Sequence, residues 1–181
     1  MFRRLLAASY PVRPSPAPSA ARCASAATPS FLARAAAAND ASALLGEFRS
    51  TGCFDQVLAA AGLRITKIGP EGVECSLRVT PTLTNNYGTL HGGAISTIVD
   101  VAGTLALLGR DPTRPGVSVE MNQTFCSSAK EGDQLHVFGS VLKYGRSLGF
   151  TEVMIHLAAK EEEGARGRVI AVGRHTKLFP S

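Results

Sequence analysis

The 181-residue chain has no tryptophan and only three tyrosines. It therefore has little material for basic residues interleaved with stacked aromatics, the pattern of a nucleic-acid surface. Its four cysteines, Cys23, Cys53, Cys75 and Cys126, form no CxxC pair and share no metal-ligand spacing with a histidine. That excludes the usual zinc motifs and points to reduced thiols in a reducing compartment. No apolar run of membrane-spanning length is free of polar residues. Residues 92–109 come closest, and Ser96, Thr97, Asp100 and Thr104 interrupt them, as suits a buried core helix. Internal repeats are absent, and the length fits one domain plus a tail.

Acidic residues are missing from one region altogether: none precedes Asp40. Residues 1–39 carry Arg3, Arg4, Arg13, Arg22 and Arg34, no lysine, and much Ala, Ser and Pro. Taking these five arginines from the 19 Lys and Arg leaves 14, against 14 Asp and Glu, so the net charge of +5 belongs to this leader. A nucleic-acid partner is disfavoured on that ground too. The composition predicts an organelle transit peptide, mitochondrial as first choice and plastid as second, with residues 40–181 as the domain. Cys23 would leave with the leader.

Beyond the leader, Leu44, Leu45, Phe48, Phe54, Val57 and Leu58 recur at helical spacing. They predict an amphipathic helix capped by Asp40 or Ser42 and broken near Gly52. "LRITKIGPEGVECSLRVTP" alternates about Gly69-Pro70-Glu71-Gly72 and predicts a hairpin. A loop over 81–91 leads into an apolar helix. Then come strands in "GVSVEMNQTFCSS", with Val117, Val119 and Met121 alternating against Ser118, Glu120 and Asn122. "DQLHVFGSVLKYG" and "SLGFTEVMIHLAAK" join at Gly145-Arg146, and "KEEEGARGR" turns into a last strand, "VIAVGRHTKLF". Five or six mostly antiparallel strands with one helix apolar nearly all round predict an α+β fold, a sheet curled about a central helix. Uncovered edges make oligomers the expectation.

Asp100 lies within that apolar helix, where an ionised carboxylate costs several kcal/mol unless compensated. Gly92 and Gly93 fall in the helix's first turn. There they either expose backbone N–H groups to a ligand carbonyl or simply permit close packing on the sheet. Asp100 follows Gly92 by eight residues, roughly 12 Å along one helix. One substrate carbon cannot easily reach both on one subunit. If the two cooperate, the site spans a homodimer interface, although a buried Asp can also serve neighbouring Ser, Thr or backbone groups. His91 at the helix start reads as a capping or orienting group, and His136, His156 and His175 as structural. Cys126 and Ser127 lack a His–acid pair, which argues against a Ser or Cys nucleophile.

"TNNYGTLHGGAISTIVDVAGTLALL", followed by "PGVSVEMNQTF" and the ending "GRHTK", resembles the hotdog-fold acyl-CoA thioesterases, in particular the acyl-CoA thioesterase 13 (thioesterase superfamily member 2) branch. The likeness runs from about Phe54 to Lys177. It implies that the Gly92 N–H polarises a thioester carbonyl, with His91 beside it and Asn85 of the same subunit in the loop before it. It further implies that Asp100 is the general base on a water that Asn85 and Ser118 help to hold, Asp100 and Ser118 coming from the partner subunit. Lys130, Lys143 and Arg146, with Ser127 and Ser147 beside them, are the implied contacts to coenzyme A. No cofactor or metal is called for. A homodimer paired into a homotetramer is implied. The rivals are an aryl-CoA thioesterase of the phenylacetyl- or dihydroxynaphthoyl-CoA type and a non-catalytic acyl-CoA-binding protein on the same fold. A hotdog dehydratase lacks its His–acid pair here.

Overall fold

The computed structural model describes Phe54, residues 56–158 and residues 166–180. The leader, the cap at Asp40 or Ser42, and most of "KEEEGARGR" lie outside the described residues. Of the first predicted helix, the described part is α1, Gln56–Ala60, which buries Leu58 and Ala59. Next come β1 (Arg64–Gly69) and β2 (Gly72–Arg78), joined by the two-residue turn Pro70-Glu71. Gly72 closes this turn at φ 153°, and any Cβ there would lie 2.0 Å from the Gly139 carbonyl oxygen, so no other residue fits. A 3-10 turn, Pro81–Leu83, leads to α2, Gly92–Arg110. Four strands follow: β3 (Val117–Phe125), β4 (Gln134–Tyr144), β5 (Leu148–Ala158) and β6 (Arg166–Leu178).

The six strands form one antiparallel sheet in the order β1-β2-β4-β5-β6-β3. The expected sheet about a central helix is what the chain forms. Alternate residues bury themselves under α2: Val73, Cys75 and Leu77 from β2, Leu135 and Val137 from β4, Val153 and Ile155 from β5. From the helix come Ile95, Ile98, Val99, Ala102, Leu105 and Ala106. Contact is close because the strands present glycine where the helix crosses. A Cβ on Gly139 would stand 2.8 Å from the Ala102 carbonyl oxygen, and one on Gly173 would stand 2.7 Å from Val99 Cγ1.

The polar residues that interrupt the helix are absorbed locally. Ser96, Thr97 and Thr104 donate their hydroxyls to the carbonyls of Gly92, Gly93 and Asp100, one turn back, at 3.1, 2.9 and 2.9 Å. The 19-residue α2 is long and apolar enough to cross a membrane, but here it is the core helix of the sheet.

β3 differs from the alternation read in its sequence. It is the sheet edge beyond β6, and eight of its nine residues are exposed, Gln123 alone being half-buried. Its register against β6 slips between Ser118 and Glu120, so Ser118 opposes Lys177 while Met121 opposes His175. Residues directly opposite share a face. The bulge therefore puts Ser118 on the same, helix-facing side as Met121, where strict alternation set them apart.

Candidate active site

The start of α2 is organised by His91 and the loop before it. His91 is the N-cap: its Nδ1 accepts the Gly93 N–H at 2.8 Å, and its own N–H donates to the Leu83 carbonyl. A Cβ on Gly93 would come within 3.0 Å of that Nδ1, so Gly93 makes room for the cap. Gly92 is different. A Cβ there would meet only the Phe125 ring, at an ordinary 3.6 Å, so close packing does not require a glycine. The Gly92 N–H belongs to the first helical turn, which has no carbonyls behind it to accept. It is a donor backed by the positive end of the helix dipole.

Asn85 shapes the approach to that donor. Its Oδ1 accepts the N–H groups of Tyr87 and Thr89 at 2.9 and 3.2 Å, and its Nδ2 donates to Thr89 Oγ1 at 2.9 Å. An amide nitrogen carries two hydrogens, so one is left to donate elsewhere. Of the tandem amides, Asn85 is held and half-buried while Asn86 is exposed.

Two turns along the helix a second group converges. Ser118 Oγ lies 2.8 Å from His175 Nε2, and Asp100 Oδ1 lies 3.6 Å from the same nitrogen. His175 is fully buried, whereas the Asp100 side chain is 47% exposed. The carboxylate is therefore less enclosed than its apolar neighbours in sequence suggested. It sits on the flank of α2 left open beside the β3 edge. Next to His175 on β6 is Lys177, 6% exposed, whose Nζ donates to Thr104 Oγ1 at 2.7 Å. Thr104 in turn donates to the Asp100 carbonyl, so this cation is tied to the helical turn that carries the carboxylate.

Burial, then the Lys177 charge, press the His175 pKa below the ordinary imidazole value, against the opposing pull of Asp100 and Glu120. The ring is neutral near pH 7. Its Nδ1 is buried against the backbone of α2, 3.0 Å from where a Gly103 Cβ would stand, and a backbone hydrogen bond at Asp100 adds to the upward pull on the ring. A nucleophilic triad needs its acid on the ring nitrogen opposite the serine. Here serine and acid approach the same nitrogen, so Ser118 is not set up as a nucleophile. Nor is a cysteine. Burial pushes the Cys75 thiol up to about 12, and the exposed Cys126 has only a backbone carbonyl, that of Thr124, within reach of its sulfur. What the group can do is hold and deprotonate a small polar molecule, with Asp100 as base.

The candidate coenzyme contacts divide between the two ends of α2. Thr89 bridges to Lys130, and Leu90 N–H donates to the Ala129 carbonyl, which brings Lys130 and nearby Ser127 to the Gly92 end. Ser127 spends its hydroxyl on the Val169 carbonyl. Lys143 stands near the end of β4, and Arg146 and Ser147 belong to the β4–β5 turn, at the far end. There Arg114 Nη2 donates to the Arg146 carbonyl, and Tyr144 donates to Asp111 at 2.9 Å, just past the helix C-terminus. One chain does not bring the two sets together.

His175 is the site residue that reading the sequence missed. The signal was available in the period-2 pattern of β6. Ala171, Gly173, His175, Lys177 and Phe179 share the buried face, so two titratable groups stand where apolar residues are the rule.

The thioesterase superfamily model matches residues 87–163. Human acyl-coenzyme A thioesterase 13 is 41% identical over 124 residues, 68% of this chain and 83% of that protein. Among solved structures, zebrafish thioesterase superfamily member 2 superposes with a TM-score of 0.68 at 34% identity, over 76% of this chain and 94% of that one. The mouse thioesterase superfamily member 2 gives 0.64 at 36% identity, over 75% and 93%.

Proposed function

The chain belongs to the thioesterase superfamily, and from that premise we propose that it hydrolyses acyl-CoA thioesters to a carboxylic acid and coenzyme A, at a site shared by two subunits. The observation that carries this reading is the separation of the two halves of the chemistry. The free Gly92 N–H and the Asp100 carboxylate stand eight residues apart on one continuous helix, about 12 Å.

Edge strand β3 supplies a way to join them. Phe125 lies against Gly92, whereas Ser118 lies with His175 and Asp100, so β3 runs antiparallel to α2. A two-fold axis through the middle of β3 would set Ser118 of one copy opposite Phe125 of the other. The Gly92 end of one helix would then meet the partner's carboxylate. The same axis reverses the partner's helix and brings the Lys130 end of one chain to the Arg146 end of the other. Exposed Val117, Val119, Met121 and Phe125 give such a pairing its apolar area, and an open sheet edge supplies its hydrogen bonds.

In this geometry the thioester oxygen takes the Gly92 N–H and an Asn85 N–H. Asp100 removes a proton from water, and the hydroxide adds to the carbonyl carbon. Collapse of the tetrahedral oxyanion expels the coenzyme A thiolate, which takes up the proton. Lys130, Lys143 and Arg146, with Ser147 beside them, attract the coenzyme's phosphates at the rim. Two such dimers pair into a tetramer, which light scattering would register. Residues 1–39 direct the protein to mitochondria, and a fluorescent fusion of that segment would report plastid targeting instead if that were its address.

The test is thiol release from short, medium, long and aryl acyl-CoAs by wild type and Asp100→Asn. The variant should lose about 10²- to 10⁴-fold in kcat while keeping its oligomeric state. Equal rates in both proteins across the panel would mean that Asp100 is not the base. Binding without turnover in either would point to a carrier.

A further inference from the structure

The β4–β5 turn, residues 145–147, follows a stretch of β4 that is already irregular. The register slips between Val141 and Lys143, and Leu142 is left 53% exposed. Within the turn the Gly145 N–H donates to the Leu148 carbonyl at 2.8 Å. Its other two carbonyls are taken by groups from outside the hairpin. That of Ser147 accepts the Phe179 N–H at 2.8 Å, and that of Arg146 accepts Arg114 Nη2.

Arg114 comes from the loop between α2 and β3 and is itself firmly held. Its guanidinium carbon lies 4.2 Å from the centre of the Phe179 ring and 5.4 Å from that of Tyr144. Nη1 donates to the Tyr144 oxygen at 3.4 Å, and the Tyr144 hydroxyl donates to Asp111 Oδ2 at 2.9 Å. Burial, then the hydrogen bond to Asp111, raises the Tyr144 pKa, so the phenol keeps the proton it donates. Asp111 is anchored as the C-cap of α2, its N–H on the Leu107 carbonyl and its Oδ1 on the N–H and hydroxyl of Thr113. Phe179, 5% exposed, presses on Gly149, where a Cβ would stand 2.8 Å from the ring. A flat guanidinium can stack on a ring and donate sideways at once. Contacts therefore run without a break from the end of the core helix, through Arg114, to the backbone of the turn.

Resting on the thioesterase reading, we propose that Arg114 is a positioning residue for coenzyme A: by holding the Arg146 carbonyl it fixes the turn from which Lys143, Arg146 and Ser147 meet the nucleotide phosphates. Those three residues are exposed. Long charged side chains on a loose turn lose freedom when a ligand orders them, and a backbone fixed beforehand lowers that cost. Arg114 gives donors to Arg146 and Tyr144 and its face to Phe179, so it acts through the turn.

Two variants test this. Arg114→Met keeps a stem on the Phe179 ring and removes donor and charge, whereas Arg114→Lys keeps the charge without the flat fork. The Met variant should raise KM for an acyl-CoA by about threefold to tenfold at nearly constant kcat, the order of the cost of ordering one or two long side chains. Inhibition by free coenzyme A should weaken by the same factor. KM for the matching acyl-pantetheine, which lacks the nucleotide phosphates, should move by less than about twofold, whereas a loosened fold would harm both substrates alike. In an Arg146→Ala background the Met change should cost less than about twofold more, because Arg114 acts through that turn. The Lys variant should stay at least about threefold worse than wild type in KM for the acyl-CoA. Equal losses on acyl-CoA and acyl-pantetheine overturn the proposal, and so does full additivity with Arg146→Ala. A Lys variant with wild-type KM overturns it whether or not the Met variant folds, since charge alone would then suffice. These results leave the thioesterase reading standing as long as wild type hydrolyses acyl-CoA and Asp100→Asn does not. A wild type inactive on every acyl-CoA removes that reading, and this proposal with it.

Discussion

Strands β5 and β3 lie two places apart in one sheet and meet opposite fates. β5 is paired on both sides and alternates half-buried and buried residues along most of its length, with Val153 and Ile155 fully enclosed under α2. β3 is paired only with β6 and exposes Val117, Val119, Met121 and Phe125, yet it carries Ser118. The region of the sheet around β5 is finished within one chain. The region around β3 has its polar groups assembled and its apolar groups uncovered. The difference separates what folds the protein from what acts: glycines under the helix close the first region, and a bulge and an open edge shape the second.

The comparison can be broken first on the open side. Proline at the first helical position keeps the helix but has no N–H, and the preceding His91, at φ −68° and ψ 138°, already has the extended backbone a following proline demands. Gly92→Pro should therefore lower kcat by ~10²–10³ with little loss of stability. Gly92→Ala, whose Cβ makes only an ordinary contact with Phe125, should stay close to wild type. Kinetics and thermal melting together check both. On the closed side the effect is smaller and of the other kind. Gly139→Ala drives a Cβ to 2.8 Å from the Ala102 carbonyl oxygen, so the helix must shift, at about 1–3 kcal/mol in denaturant unfolding. The variant's kcat at 25 °C should change little.

The smallest effect is in pH. Because burial and Lys177 lower the His175 pKa, the folded chain binds fewer protons there than the unfolded chain does once the pH falls below the ordinary imidazole value. Its neutral form contributes stability that is complete above about pH 6.5 and is lost as the pH drops toward the lowered value. Denaturation midpoints at about pH 7.5 and pH 5.5 should lie further apart for wild type than for His175→Gln, which cannot titrate. Equal separations would mean that folding leaves the His175 pKa unshifted, and a smaller separation for wild type would mean that folding raises it.

The closed region could be read from the chain, and the open one only in part. Period-2 runs such as Val73, Cys75 and Leu77 announce their strands, Pro70-Glu71 between glycines announces the hairpin, and the apolar run after His91 announces the core helix. Gly92, Asp100 and Ser118 were visible as residues out of keeping with their surroundings or as parts of a resemblance. The bulge that re-aims Ser118 was not, because neither glycine nor proline marks it; only the slip of register between Ser118 and Glu120 reveals it. His175 was assigned to structure because its partner Ser118 is 57 residues away, and only strand pairing brings the two within 2.8 Å. The choice between Asn85 and Asn86 needed the turn that holds one and leaves the other exposed.

The sharing of one site by two chains is tested most directly by co-expressing Gly92→Pro and Asp100→Asn, each inactive alone. In a mixed dimer one site inherits both defects, while the other combines an intact Gly92 with the partner's intact carboxylate. Random pairing makes half the dimers mixed, so purified mixtures should recover about a quarter of wild-type turnover. Recovery near that level is the expected result. No recovery, with mixed dimers shown to be present, would mean that glycine and carboxylate serve a site within a single chain.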